Sequence, residues 1–353
     1  NSPADADWQF YRPMAGNDTI IGSDYLDGLH YGERGEVGVT VNFATGRALD
    51  QFGGVDEFSK MDGVIGSDAA DEFIGSAAID TIYYAGRAGN DTIRGTDSTD
   101  IADYSLDEVY GAVLGVIVNL SKGTAIDGFG DTDTLLKVDD VNGTKFADQL
   151  IGDAGDNVLD GMGGDDSILG GEGNDRLRGG AGNDTLRGGL GVDSYYGGAG
   201  DDLIDASIAN ADGSWSAWVV PGEGSNTIVG NQSLWYSGNG ISISYSQDLS
   251  GTGGVVIVAS ADGSGTVTSN NAGVVNDTFT FVNNFEGSDG ADHITAANNP
   301  DVVWQGYRPM AGNDTVIGSN NWDELAYHEG YTGRGVKVNF DLGAATDQYG
   351  DTD

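Results

Sequence analysis

Aspartate returns at every ninth position through the centre of this chain. From Gly143 seven nonapeptides follow without a slip, and their sixth positions are Asp148, Asn157, Asp166, Asp175, Asp184, Asp193 and Asp202. The eighth positions are Leu150, Leu159, Ile168, Leu177, Leu186, Tyr195 and Ile204. Carboxylates held in one phase of a repeat stack on one another, and stacked carboxylates repel unless a cation lies between them. An oxygen-only set of ligands suits calcium, which takes six to eight oxygens in flexible geometry and accepts backbone carbonyls. Glycines at the fourth position, Gly164, Gly173, Gly182, Gly191 and Gly200, expose such carbonyls in every turn from the third unit on. Magnesium asks for a tighter octahedron, and zinc asks for Cys or His. The chain has no Cys and three His, none of them in this run.

A helix cannot present nine-residue spacing on one face, and each glycine inside it would cost about 1 kcal/mol. A coil of short strands and turns can. The residues around each apolar position make one strand, and those around the glycines make a turn that needs left-handed backbone angles. Two nonapeptides then close one coil, so each residue lies above the one eighteen positions earlier. That stacking predicts one ladder of Asp148, Asp166, Asp184 and Asp202 and another of Asn157, Asp175 and Asp193. Neighbouring rungs stand about 4.8 Å apart, the spacing of paired strands. The five pairs separated by eighteen residues are five candidate ion positions.

The units "GGEGNDRLR" and "GGAGNDTLR" resemble the GGxGxDxUx repeats of RTX proteins, a calcium-binding parallel β-helix repeat. The resemblance implies a parallel β-roll, folding driven by calcium, and export from Gram-negative bacteria by a type I system. Two departures stand out. Asn157 replaces the ligand aspartate of the second unit, which makes the Asn157–Asp175 position the weakest of the five, and Met162 replaces the second glycine of the third.

The nine-residue spacing returns in isolated pairs: Asp18 with Asp27, Asp71 with Asp80, Asp91 with Asp100, Asp292 with Asp301, and Asp314 with Asp323. Each predicts a single coil and adds candidate calcium ligands. Between the coils lie related segments, "GVTVNFATGRA" from Gly38, "GVIVNLSKGTA" from Gly115 and "GVKVNFDLGAA" from Gly335, each preceded by a tyrosine (Tyr31, Tyr104, Tyr327). Their alternation marks strands with one buried face. A degenerate copy runs through "ISISYS" and "GVVIV" from Ile241. A still longer repeat brings "WQFYRPMAGNDTIIGS" at Trp8 back as "WQGYRPMAGNDTVIGS" at Trp304, an offset of 296.

These periods predict an all-β, elongated tandem-repeat architecture: parallel β-roll or β-solenoid segments with calcium ladders, interrupted by β-rich lobes. A short roll coil with its lead-in is expected over 1–37, a β-lobe over 38–66, and short roll coils over 67–105. A second β-lobe follows over 106–142 and the main roll over 143–206. An aromatic cap with the degenerate lobe covers 207–286, short roll coils cover 287–334, and the next long repeat begins over 335–353. In the stretch 207–245, Trp215, Trp218, Trp235 and Tyr236 read either as a cap on the roll end or as a sugar-stacking patch, with the cap preferred.

Composition narrows the function. Fifteen basic against 56 acidic residues give a net charge of −41, which excludes nucleic acid and anionic lipid as partners. No apolar run is long enough for membrane insertion. Without cysteine there is neither disulfide nor thiol chemistry. No HExxH, Gly-x-Ser-x-Gly or phosphate-binding loop is present, and His30, His293 and His328 read as surface or loop residues, so no enzyme activity is expected. Asn-Asp-Thr triplets at Asn17, Asn90, Asn183, Asn276 and Asn313 match glycosylation acceptors, but four of the five fall in nonapeptide turns.

The reading is a calcium-binding structural unit of a large secreted or cell-surface bacterial protein, such as an adhesin extender, surface layer or filament. Its expected partners are further copies of itself, with a glycan or cell-surface ligand as a further candidate. The alternative is an export and folding module of a secreted RTX enzyme or toxin. The long repeat favours the first, since a spacer gains length with each copy.

Overall fold

The computed structural model describes residues 8–23, 25–32, 37–208, 217–237, 240–246, 254–269, 275–296, 298–302, 304–320, 322–327, 337–339 and 344–346. Trp215, His328 and most of 335–353 lie outside the described residues. The chain divides into two compact units, Asn1–Ile168 and Leu169–Asp353. Both are built from very short strands, most of three to six residues. No helix among the described residues is long and apolar enough to cross a membrane.

In the first unit one wall is a parallel sheet in the order Gln9–Tyr11, Asp27–His30, Gly63–Ile65, Thr81–Ala85, Thr99–Asp103, Asp140–Asn142, Val158–Asp160. In-register pairing stacks Leu29, Val64, Tyr84, Ala102, Val141 and Leu159 into one inward column, each at most 2 % exposed. The facing wall supplies Phe73, Ile93, Leu135, Val118 and Leu150. Such a core is thin, with one in-register apolar column per wall and a few flanking side chains such as Ile65 and Phe43. Each side chain contributes about 1.5–3 kcal/mol, so stability has to come from many coils together.

The segments from Gly38 and Gly115 are three-stranded antiparallel meanders built into the second wall. Thr40–Asn42, Arg47–Leu49 and Val55–Ser59 form the first of them, and Ile117–Asn119, Thr124–Ile126 and Thr132–Leu136 the second. In each, the last strand pairs with the preceding coil and the first with the following coil. The first wall passes by undisturbed, Asp27–His30 pairing directly with Gly63–Ile65. The inward side chains Val41, Ala48 and Phe58 continue the core through the meander.

The second unit repeats this plan. Its first wall runs Arg176–Ala181, Asp193–Ala199, Ala217–Glu223, Ile241–Ser244, Val282–Glu286, Trp304–Arg308, Trp322–Leu325, all parallel. Leu177, Tyr195, Val219, Ile243, Phe285 and Tyr307 stack inward. Val255–Ala259, Ser264–Ser269 and Asn276–Thr280 form a third meander with the same topology, so the degenerate copy keeps the architecture of the other two. The aromatic stretch after Ser207 does not end the roll: Ala217–Glu223 pairs on both sides, and Trp235 sits buried on the short helix Gln232–Ser237 against Phe281 and Val302. The nine-residue spacing is lost there because this coil is longer, not because stacking stops.

Candidate metal centre

The carboxylates line the bends between the two walls. The ladder aspartates stand within one residue of the start of a wall strand, and a main-chain N–H of one rung donates to the side chain of the next, one coil on. In the first unit the Asp148 N–H donates to Asp166 Oδ1 at 2.7 Å, and Asp71 does the same to Asp91 at 2.8 Å. In the second, Asp175 donates to Asp193 Oδ1 at 3.0 Å, Asp184 to Asp202 Oδ1 at 2.9 Å, and Asp292 to Asp314 Oδ1 at 2.8 Å.

The ladders continue through residues that nine-residue spacing does not find. Asp18 and Asp27 donate to Asp56 and Asp62, Asp91 and Asp100 to Asp133 and Asp139. In the second unit Asp202 donates to Asn226, and Asn226 to Asp277. Their shared signal is short: Asp or Asn, any residue, then a buried apolar side chain, namely Phe58, Val64, Leu135, Val141, Ile228 and Phe279. Glycine spacing obscures it because the coils that carry meanders have other lengths.

Two nine-residue pairs do not form as spaced. The coil from Asp71 to Asp91 has two extra residues, so buried Ile82, not Asp80, stands opposite Asp100, and Asp80 is exposed. Likewise Gln305, not Asp301, faces Asp323, and Asp301 is exposed with its N–H donating to Asn299. Asp323 is itself exposed and accepts from Ser319. Asn157 substitutes for a carboxylate by working in both directions, its Nδ2 donating to the Asp139 carbonyl and its Oδ1 accepting from Asp153 N–H.

Asp18, Asp62 and Asp139 are half-buried, and most other ladder aspartates are deeply buried. Asp27, Asp71, Asp91, Asp100, Asp148, Asp166, Asp175, Asp184, Asp193, Asp202, Asp292 and Asp314 are each at most 4 % exposed. Burial pushes Asp91 up to about 9, with Asp71 and Asp133 adding to the shift. It pushes Asp202 and Asp292 up to about 7 and Asp71 to about 6. Asp27 Oδ1, Asp91 Oδ2 and Asp202 Oδ2 are buried with no hydrogen-bond partner among the described residues. An ionised carboxyl left in that state costs several kcal/mol and calls for either a proton or a cation.

Glycine makes the bend possible. A Cβ at Gly179 or Gly188 would fall on the carboxylate of Asp184 or Asp193. At the fourth position Gly182, Gly191 and Gly200 have φ of +135°, +137° and +136°, and a Cβ at Gly191 or Gly200 would strike the carbonyl of Gly173 or Gly182 one coil back. Gly164 and Gly173 share the positive φ. Carbonyl oxygens and carboxylates are thus packed into the same bends. No three carboxylate or imidazole side chains converge among the described residues. An ion in a bend would therefore take carboxylate oxygens from adjacent coils and complete its shell with glycine carbonyls and water, which suits calcium and not zinc.

Two supporting features were not legible beforehand. The fifth-position asparagines clip coils together: Asn17, Asn90, Asn174 and Asn183 accept from Val55, Thr132, Val192 and Asp201 N–H at 2.8–2.9 Å. At each of the three meanders described a tyrosine hydroxyl donates to the ladder aspartate: Tyr31 to Asp56, Tyr104 to Asp133 and Tyr245 to Asp277. His30 is buried in a first-wall strand against Tyr110, Nε2 to hydroxyl 2.8 Å, and is not a loop residue.

A two-walled parallel roll with buried aspartate ladders defines a class of calcium-binding repeat. The family of the RTX calcium-binding nonapeptide repeat (four copies) matches residues 65–102, 142–177 and 169–204, so the chain carries RTX repeats. The matched stretches hold Asp71, Asp91 and Asp100 in the first unit and the regular nonapeptides of both. No curated protein matches the chain. The repeats mark a calcium-binding region of the kind found in secreted proteins.

Proposed function

We propose that this chain is a calcium-locked structural unit of a large secreted or cell-surface protein, an extender or filament segment folding after export. The observation that carries this reading is the column of buried carboxylates in bends too crowded for side chains other than glycine. Calcium, when bound, supplies the positive charge that offsets their mutual repulsion. The rest belongs to the chain. Asp148 and Asp166, Asp175 and Asp193, and Asp184 and Asp202 present oxygens to shared bends. Leu177, Leu186, Tyr195 and Ile204 fill the core once the bends close, and each closed coil offers its strands to the next.

Where calcium is scarce, carboxylate repulsion and chain entropy outweigh the thin core, and the chain stays extended enough for export. Where it is abundant, each site held at a hundred times its dissociation constant adds about 2.7 kcal/mol, and a handful of sites reaches the stability of an ordinary domain. The tandem reading is supported by the long repeat, whose two copies adopt one register, Gln9 opposite Asp27 and Gln305 opposite Asp323. The test is far-ultraviolet circular dichroism of the full chain during calcium titration followed by chelation. The β signal should rise with calcium and collapse with chelator; an unchanged β signal after complete chelation contradicts the switch.

A further inference from the structure

The two copies of the long repeat differ on the outer face of the first wall. In the first copy Phe10 stacks on Trp8 with ring centres 5.5 Å apart and meets His30 at 6.2 Å, while Gly28 leaves room for the Phe10 ring. In the second copy, at the offset of 296, Phe10 becomes Gly306, Gly28 becomes Glu324 and His30 becomes Ala326. The Phe10 ring has no counterpart there, although Trp8 recurs as Trp304, and the second unit carries a cavity of about 230 Å³ lined in part by Gly306, Glu324 and Ala326.

Register makes this cavity a groove running across strands. Half-buried Trp218 is paired with Ser242, Ser242 with Asn284, Asn284 with Gly306 and Gly306 with Glu324, one outward row over five parallel strands. Four strand spacings give it a length of about 19 Å. Beside this row Glu286 accepts from the Ser244 hydroxyl at 3.2 Å and pairs with Arg308 at 3.5 Å. Asn284 Nδ2 donates to Ser242 Oγ at 3.1 Å. An indole face at one end and a carboxylate, a guanidinium, an amide and a hydroxyl along the floor match a ligand with apolar ring faces and many hydroxyls. Two carboxylates against one guanidinium, on a chain of net charge −41, disfavour an anionic one.

We infer that the outer face of the second unit binds a neutral oligosaccharide lying across the strands, with Trp218 stacking on a sugar ring and Asn284, Glu286, Arg308 and Glu324 meeting its hydroxyls. The groove uses no ladder aspartate, so it stands or falls separately from the calcium mechanism. The test is calorimetric titration of the calcium-loaded full chain with hexamers of β-1,4-glucose, α-1,4-glucose and α-1,4-galacturonic acid. At least one neutral hexamer should bind, and Trp218→Ala should weaken it about tenfold or more. The double variant Gly306→Phe, Glu324→Gly restores the packing pair of the first copy and should abolish binding with circular dichroism and calcium stoichiometry unchanged. Binding of neither neutral hexamer, tighter binding of the acidic one, or wild-type affinity in the double variant overturns the inference.

Discussion

The glycine-rich coils of the second unit and the meander-bearing coils of the first bury the same carboxylate in different company. In the former, Asp184 and Asp193 lie beneath Gly179 and Gly188, with positive-φ glycines stacked carbonyl on backbone between coils. In the latter, Asp56 and Asp133 each accept from a buried tyrosine hydroxyl, Tyr31 or Tyr104, at 3.1 Å. Their bends are shaped by another aspartate, since Asp50 Oδ1 accepts from Phe52 and Gly54, and Asp127 Oδ1 from Phe129 and Asp131. A buried carboxylate needs either a positive charge or a donor. The roll uses cation-ready bends in its glycine-rich run and hydroxyl donors elsewhere: a tyrosine at each of the three meanders, Tyr84 at Asp100, and Ser67, Thr144 and Ser288 at Asp71, Asp148 and Asp292.

That contrast is broken most severely by filling a stacked glycine. Gly191→Ala places a Cβ against the Gly173 carbonyl at a backbone angle that side chains rarely adopt, so it should cost about 3 kcal/mol or more and raise the calcium concentration needed for folding. Gly16→Ala meets comparable backbone strain at φ +130° but open space, and should cost only about 1 kcal/mol. Equal calcium midpoints for the two would show that coil stacking is not the constraint.

A smaller effect sharpens the other half of the contrast. Tyr104→Phe removes the donor to Asp133, a carboxyl that burial already pushes up to about 7. Loss of one buried hydrogen bond to a charged group should cost about 1.5–3 kcal/mol, read as a lowered midpoint in urea. The number of calcium ions bound should stay the same, and a lost ion would mean that the tyrosine rung is a metal site after all.

The nonapeptides were legible because their coils are uniform: eighteen residues per turn fix Asp193 above Asp175, and Leu177 and Leu186 as core. Elsewhere spacing misled. Asp80 and Asp301 keep the interval of nine, yet extra residues in their coils shift them out to solvent and bring Ile82 and Gln305 to the rung. What the coils preserve is local: a polar rung residue, one spacer and a buried apolar side chain, as in Asp62-Gly63-Val64 or Asn226-Thr227-Ile228. That triplet is too short to recognise without knowing which strands pair. The tyrosines before the meanders were visible, but their partners lie 25 to 32 residues downstream, so only pairing reveals the hydrogen bonds.

The central claim is that aspartates buried in the glycine bends hold the calcium, and that nine-residue spacing without that burial does not. Counting the calcium ions bound to the full chain by equilibrium dialysis tests it directly. Asp175→Ala with Asp184→Ala should lower the count, whereas Asp80→Ala with Asp301→Ala should leave it unchanged. An unchanged count in the first variant, or an equal fall in both, would contradict the account.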